Sequence, residues 1–190
     1  MTAEPQHKWT VDEYLAFEEE SEIRHELYDG EIFAMSGASP RHNQISWNVV
    51  GALAPQIRRG PCRGFAADMR VKIPTTGLYT YPDAGVICGD PQYTDEQPRS
   101  LLNPTMIVEI LSATSQDFDR GRKFAHYRTI PSLQIYLVVD QGAVHVERYT
   151  RQPDGQWILY ETDDVTETVE LPAIGASLAL SDVYERVDDL

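Results

Sequence analysis

Three charged side chains stand where the surrounding sequence favours apolar residues or makes no demand for charge. They are Asp83 in Tyr81-Pro82-Asp83-Ala84-Gly85-Val86, Glu109 in Met106-Ile107-Val108-Glu109-Ile110-Leu111, and Lys123 in Asp119-Arg120-Gly121-Arg122-Lys123-Phe124. Glu109 is the clearest case. It lies inside an apolar, β-branched run that reads as a strand buried on both faces, and a carboxylate there is costly to desolvate unless a cation or hydrogen bonds compensate it. Alternation puts Asp83 on the face of Gly85 and Ile87, and Glu109 on the face of Ile107 and Leu111. If the two strands are neighbours, both carboxylates point into one cleft. Their repulsion would hold a proton on one of them unless a divalent cation sits between. Magnesium suits such a pair, since it takes oxygen ligands and often binds only one or two carboxylates plus waters and substrate phosphate; manganese is a possible substitute. A lysine nearby could orient the attacking water and neutralise a phosphate. These are the parts of metal-assisted phosphodiester hydrolysis.

Each residue also has a plainer reading. Asp83 could merely begin a strand after Pro82, Glu109 could be a buried acid satisfied by amides or an arginine, and Lys123 could be a surface lysine. Asp119 reads as the i,i+4 helix partner of Lys123. Glu26 reads as a surface residue flanking a hairpin. His42 reads as a cleft contact or as an exposed residue at a helix start. Arg70 and Lys72 share a strand face with Asp68 that is ordinarily solvated, although both could hold a phosphate; Arg120 is a further candidate for that contact.

The elements that must position these groups are those of a mixed α/β chain with a central sheet. Thr10-Val11-Asp12-Glu13 forms a capping box, and a helix follows through about Glu20 with Val11, Tyr14, Leu15 and Glu18 spaced for one face. Its acidic end, Glu18-Glu19-Glu20, reads as solvated. Asp29-Gly30 between two short runs is a type I′ hairpin signal. Ser39-Pro40 starts a second helix, with Ile45, Val49 and Leu53 at helical spacing and Pro55 expected to kink or shorten it. A half-buried strand is expected from Ala67 to Ile73, a turn or loop over 74–79, the Asp83 strand, a loop over 90–104, the Glu109 strand, and one helix over 117–128. The strand Gln134–Asp140 and two further β-hairpin strands follow, then one or two edge strands and a short helix near Leu180–Val187.

The chain has 190 residues and 42% apolar content, which fits one domain over residues 1–190 with a core of about 9–185. No apolar run reaches membrane-spanning length, and the N-terminus lacks the apolar core of a signal peptide. Cys62 and Cys88 are too few for a disulfide framework or a cysteine zinc site, so cytoplasm is the expectation. The net charge of −14 argues against a broad basic footprint for nucleic acid. The charge is uneven, however. Residues 41–131 hold 11 Lys and Arg against 8 Asp and Glu, while the remainder holds 5 against 22.

Pro82-Asp83, Glu109 in an apolar strand and a following lysine resemble the PD-(D/E)xK nuclease superfamily with its restriction-endonuclease-like α/β core. More specifically, His25-Glu26-Leu27-Tyr28-Asp29-Gly30-Glu31-Ile32, Tyr81-Pro82-Asp83, Val108-Glu109-Ile110-Leu111-Ser112, Asp119-Arg120-Gly121-Arg122-Lys123-Phe124 and Tyr127-Arg128 resemble the Uma-type bacterial putative restriction endonucleases, over roughly Trp9 to Tyr184. The resemblance implies a magnesium-dependent endonuclease acting on DNA, with Asp83 and Glu109 as metal ligands and Glu26 as a third acid at the cleft. Two-strand cutting in that class implies a homodimer. The superfamily pattern places its lysine two residues after the glutamate, where this chain has Leu111, so Lys123 is the candidate for a migrated lysine. Two other classes compete: an inactive nucleic-acid-binding protein on the same fold, and an assembly protein whose β-rich tail pairs with a second copy.

Overall fold

The structure is a computed structural model that describes residues 7–35, 37–111 and 118–187, the side chains of 118–120 lying outside that description. Helix α1 (Val11–Glu20) starts on the expected capping box, with the Thr10 hydroxyl accepting from the Glu13 amide and the Glu13 carboxylate accepting from the Thr10 amide at 2.8 Å. Strands β1 (His25–Tyr28) and β2 (Glu31–Ala34) form the hairpin. Its turn residues Asp29 and Gly30 have φ of 49° and 77°, the left-handed pair that a type I′ turn requires. Helix α2 (Pro40–Ile57) is capped by Ser39 and runs through Pro55 to its end at Arg58. The proline falls in the last turn, where its missing N–H removes a single ladder bond and does not break the helix.

Strands β3 (Cys62–Ala66), β4 (Val71–Ile73), β5 (Leu78–Thr80), β6 (Ala84–Cys88) and β7 (Met106–Leu111) follow. The expected strand over 67–73 is shorter than alternation suggested, because Ala67 and Asp68 form a turn. Strands β3 and β5 were not expected. The segment expected as one helix is a π-helical stretch, Phe118–Lys123, running into α3 (Phe124–Tyr127). Then come β8 (Ile135–Asp140), β9 (Val146–Arg151), β10 (Trp157–Thr162), β11 (Thr168–Leu171), β12 (Ala176–Ala179) and α4 (Leu180–Val183).

The fold is the expected mixed α/β one. A six-stranded sheet of order β10-β9-β8-β7-β6-β3 forms its centre. Only β7 and β8 pair in parallel within it, so the chain between them must cross over one face of the sheet, and that crossover carries Lys123 and Tyr127. One face packs its residues Val86, Met106 and Val108 against α2, α4 and the β11–β12 pair. The other face, with Ile107, Leu111 and Tyr136, packs against Val71, Ile73 and Leu78 of a second, antiparallel sheet of order β2-β1-β5-β4. That second sheet is the departure from a single central sheet. Strands β8 to β10 supply the additional hairpins on the C-terminal side.

The reading of Cys62 and Cys88 needs correction. They are register partners on β3 and β6 and form a disulfide, with Cα atoms 4.0 Å apart. A pairing across 26 residues of separation depends on β3, which the sequence pattern did not reveal. Among the described residues no helix is long and apolar enough to cross a membrane.

Candidate active site

Antiparallel pairing of β6 with β7 places Ala84 opposite Val108, so Asp83, one residue before β6, comes level with Glu109. The Asp83 carboxylate accepts the Ile110 amide at 2.7 Å on one oxygen and lies 3.1 Å from His42 Nε2 on the other. That pairing settles His42 as a cleft residue: Ser39 caps α2 and so turns the imidazole of its first turn towards β6.

Glu109 is 4% exposed. Its carboxylate accepts the Tyr127 hydroxyl at 2.6 Å, and Lys123 Nζ lies 3.3 and 3.4 Å from its two oxygens. The same ammonium is 3.1 Å from Glu26 Oε1, which also accepts the Thr80 hydroxyl at 2.5 Å. Strand β1 supplies Glu26, β5 supplies Thr80, and the crossover supplies Lys123 and Tyr127 one helical turn apart. Burial, and then the charge of Glu109, push the Tyr127 hydroxyl far above its ordinary value, so it stays protonated and donates.

Glu26, His42, Asp83, Glu109 and Lys123 line one cavity of about 600 Å³, together with Gln141. The structure therefore brings together all four residues read as catalytic. Four carboxylates, with Asp68 the fourth, face the Lys123 ammonium, the Arg24 guanidinium and one imidazole there, which leaves an excess of negative charge that a cation would offset. Among the described residues, no three His, Cys, Asp or Glu side chains converge as a ready metal cage. The donors present, carboxylates in a cavity with room for water, are nevertheless of the type magnesium takes.

The candidate phosphate contacts are placed differently. Arg70 is not on a solvated face but 5% exposed, and its guanidinium donates to the Ser100 hydroxyl at 2.8 Å, the Pro98 carbonyl at 2.5 Å and the Tyr81 hydroxyl at 3.3 Å. The 90–104 loop, bonded back to Arg70 and Lys72 through Leu101, covers what alternation alone marks as the outer face. Lys72 pairs with Glu96 at 3.2 Å over the Tyr79 ring. Neither residue lines the cavity. The side chains of Arg120 and Asp119 lie outside the described residues.

Glu18 is the other correction. It is 2% exposed and accepts the His25 amide and the Tyr81 hydroxyl, both at 3.0 Å, with His25 Nδ1 3.1 Å away. Its position four residues after Tyr14, on the buried face of α1, was the available signal; the run of three glutamates obscured it. Sequence reading also gave no role to Thr80, Gln141 or Tyr127.

Residues 11–181 match the family described as "Uma2: Putative restriction endonuclease". The Synechocystis sp. uncharacterized protein sll1609 is 40% identical over 80% of this chain and 86% of its own length. A second uncharacterized Synechocystis protein, slr1290, is 35% identical over 95% of this chain and 93% of its own. A crystal structure described as a putative nuclease belonging to DUF820, from Anabaena variabilis, superposes with a TM-score of 0.76 at 19% identity, covering 94% of this chain and 98% of that one. That likeness shows a shared fold.

Proposed function

The chain belongs to the Uma2 family, and from that premise we propose that it is a nuclease hydrolysing phosphodiester bonds of nucleic acid, with DNA as substrate and magnesium as cofactor. One observation carries the reading: Asp83, Glu109, Glu26 and Lys123, contributed by four separated stretches of chain, meet in one cavity with more carboxylate than cation. Asp83 and Glu109 would hold the ion, with the Ile110 carbonyl beside them. When bound, it would supply Lewis acidity to the phosphate and lower the pKa of a coordinated water. The protein side of the chemistry rests on positioning. His42 and the Ile110 amide hold the Asp83 carboxylate from two sides, and Tyr127 fixes one Glu109 oxygen. Leu111, where the superfamily pattern expects lysine, is fully buried, and Lys123 reaches Glu109 from the crossover in its place. Its ammonium would hold the attacking water and offset phosphate charge, while Glu26 anchors that ammonium and orients ligands or a second ion. Nucleic acid as substrate fits a cytoplasmic location, and cutting both strands of a duplex would use a homodimer.

A neutral Glu109 paired to an arginine, with no cleft, would have favoured the assembly-protein alternative. Instead Glu109 pairs with a lysine at a cavity. Cleavage of single-stranded and duplex DNA with magnesium or manganese, by wild type and Asp83→Ala, tests the proposal. Loss of cleavage in a folded Asp83→Ala variant is expected; retained cleavage would remove it. Calorimetric titration of manganese into wild type and Glu109→Ala tests the metal separately, with binding expected only in wild type. Strand binding without cleavage or metal uptake would favour the inactive nucleic-acid-binding alternative.

A further inference from the structure

A second depression, of about 450 Å³, runs along α2 and the edge strand β3. It adjoins the cleft through neighbouring residues on three segments. Asp83 lines the cleft and Ala84 the groove, Ala67 the cleft and Ala66 the groove, and on α2 Ser46 gives way to Val50.

Trp47 lines neither depression but lies between them along α2. Asn43 lines the cleft, Val50 and Ala54 line the groove, and the spacing 43, 47, 50, 54 places all four on one face of the helix. Yet Trp47 is 75% exposed, an unusual state for a large indole on a helix whose opposite face supplies core. Phe33, at the cleft wall, is 47% exposed. Arg58 and Arg63 line the far end of the groove and form no salt bridge among the described residues. From Trp47 to Arg58 the helix rises about 16 Å. Residues 32–67 contain four arginines and no aspartate or glutamate, in a chain whose net charge is −14.

We infer that this groove is the track of an unpaired nucleic-acid strand, with Trp47 stacking a base at the cleft mouth and Arg58 and Arg63 holding phosphates beyond it. The assignment rests on the nuclease reading for what lies at the end of the track, and it names that site's substrate class. A base offers its face to an aromatic ring only when it is unstacked, and stacking of this kind is indifferent to sequence. The groove floor of Leu53, Ile57 and Phe65 suits base faces. A duplex presents closely spaced phosphates on both strands, and the acidic remainder of the chain repels that density while a strip free of acids tolerates one strand.

The test is fluorescence anisotropy with labelled oligothymidylate, oligouridylate and a DNA duplex of equal length, in EDTA so that no hydrolysis intervenes. Wild type should bind single strands more tightly than duplex. Trp47→Ala should weaken single-strand binding about tenfold or more, and Trp47→Phe should restore most of it. Arg58→Ala with Arg63→Ala should flatten the slope of log affinity against log salt by about 0.7 for each phosphate that the strand's track no longer neutralises. All three positions are exposed or half-exposed, and circular dichroism checks that each variant folds. The oligouridylate arm distinguishes RNA from DNA as the source of the strand. Equal or tighter duplex binding, or no effect of Trp47→Ala, overturns the track. A wild-type dimer that Trp47→Ala dissolves, with no strand binding, overturns it in favour of a second copy of the chain on this face. Binding that persists in Asp83→Ala, beside a wild type that cleaves nothing, would sink the hydrolysis reading and leave the track standing.

Discussion

The molecule buries two acidic clusters of similar make-up on the two sides of the small sheet, and they differ in one respect. In the first, Glu18 accepts from the Tyr81 hydroxyl and the His25 amide, and Tyr81 in turn accepts from Arg70. In the second, Glu109 accepts from Tyr127 and faces Lys123, which also reaches Glu26. Each has a nearly inaccessible carboxylate, a tyrosine donor and a basic group. The Glu18 cluster is closed: one carboxylate, one guanidinium, the His25 imidazole, and amide and hydroxyl donors, with Arg70 fully engaged by Ser100 and Pro98. The Glu109 cluster opens on a cavity and holds two carboxylates to one ammonium, with Asp83 at its edge. Burial of an acid therefore does not separate the two clusters. Unbalanced charge facing an accessible space does.

The largest expected separation between the two is in activity. Glu109→Gln should lower phosphodiester hydrolysis about a hundred- to thousandfold, the scale of removing one group that stabilises developing charge. Glu18→Gln should leave turnover per folded molecule nearly unchanged. Single-turnover cleavage normalised to the folded fraction measures both, and equal losses would erase the distinction.

Next is the role of the ammonium. Lys123→Met leaves Glu109 and Glu26 without their shared cation, and removing one partner of a buried pair costs about 3 kcal/mol or more. Urea unfolding in EDTA should show that loss. Manganese should then recover part of it by binding the folded state. For Glu18→Ala the expected loss is about 2 kcal/mol, because it strands the Tyr81 hydroxyl and the His25 amide, and manganese should recover none of it. Recovery in both variants would mean that the ion binds elsewhere.

The same contrast explains what was legible in the sequence. Asp83, Glu109 and Lys123 could be read because each breaks a local pattern, and one antiparallel register was enough to bring the first two level. Glu26 could be read only through the family resemblance, because its place beside a hairpin suits a surface acid equally well. Glu18 was misread because a run of like charges resembles a solvated face, although its spacing from Tyr14 put the first member of that run on the buried side of α1. Arg70 was misread for a related reason. Period-two alternation identifies the two faces of a strand but not whether a distant loop covers the second, and here the 90–104 loop does. Strand β3 carries no alternation because it is a half-exposed edge, and β5 is a three-residue run buried on all sides; neither leaves the period that pattern reading depends on. The Cys62–Cys88 disulfide follows from β3 and was hidden with it.

The smallest effect concerns the two tyrosines. Tyr127→Phe deletes one hydrogen bond to Glu109 and should cost about 1–2 kcal/mol near neutral pH. Its pH dependence is more informative than its size. Burial raises the hydroxyls of both Tyr127 and Tyr81 above the ordinary value of 10, so each keeps its proton in the folded state at a pH where the unfolded chain releases it. The folded state then binds more protons, and stability falls as pH rises above about 10, by up to about 1.4 kcal/mol per pH unit for each such group. Below that pH the contribution is fully present. Tyr127→Phe and Tyr81→Phe should therefore both flatten the alkaline fall. The two clusters part on the second cause. For Tyr127 the largest electrostatic contribution after burial is the charge of Glu109, whereas for Tyr81 the nearby Arg70 charge acts in the opposite direction. Arg70→Met should steepen the alkaline fall through Tyr81, whereas Glu109→Gln, which leaves burial holding the Tyr127 proton, should not change it. Unfolding free energies across pH values of about 9 to 11, bracketing the ordinary tyrosine value, give both slopes, and identical slopes in the two variants would mean that burial alone governs the two tyrosines.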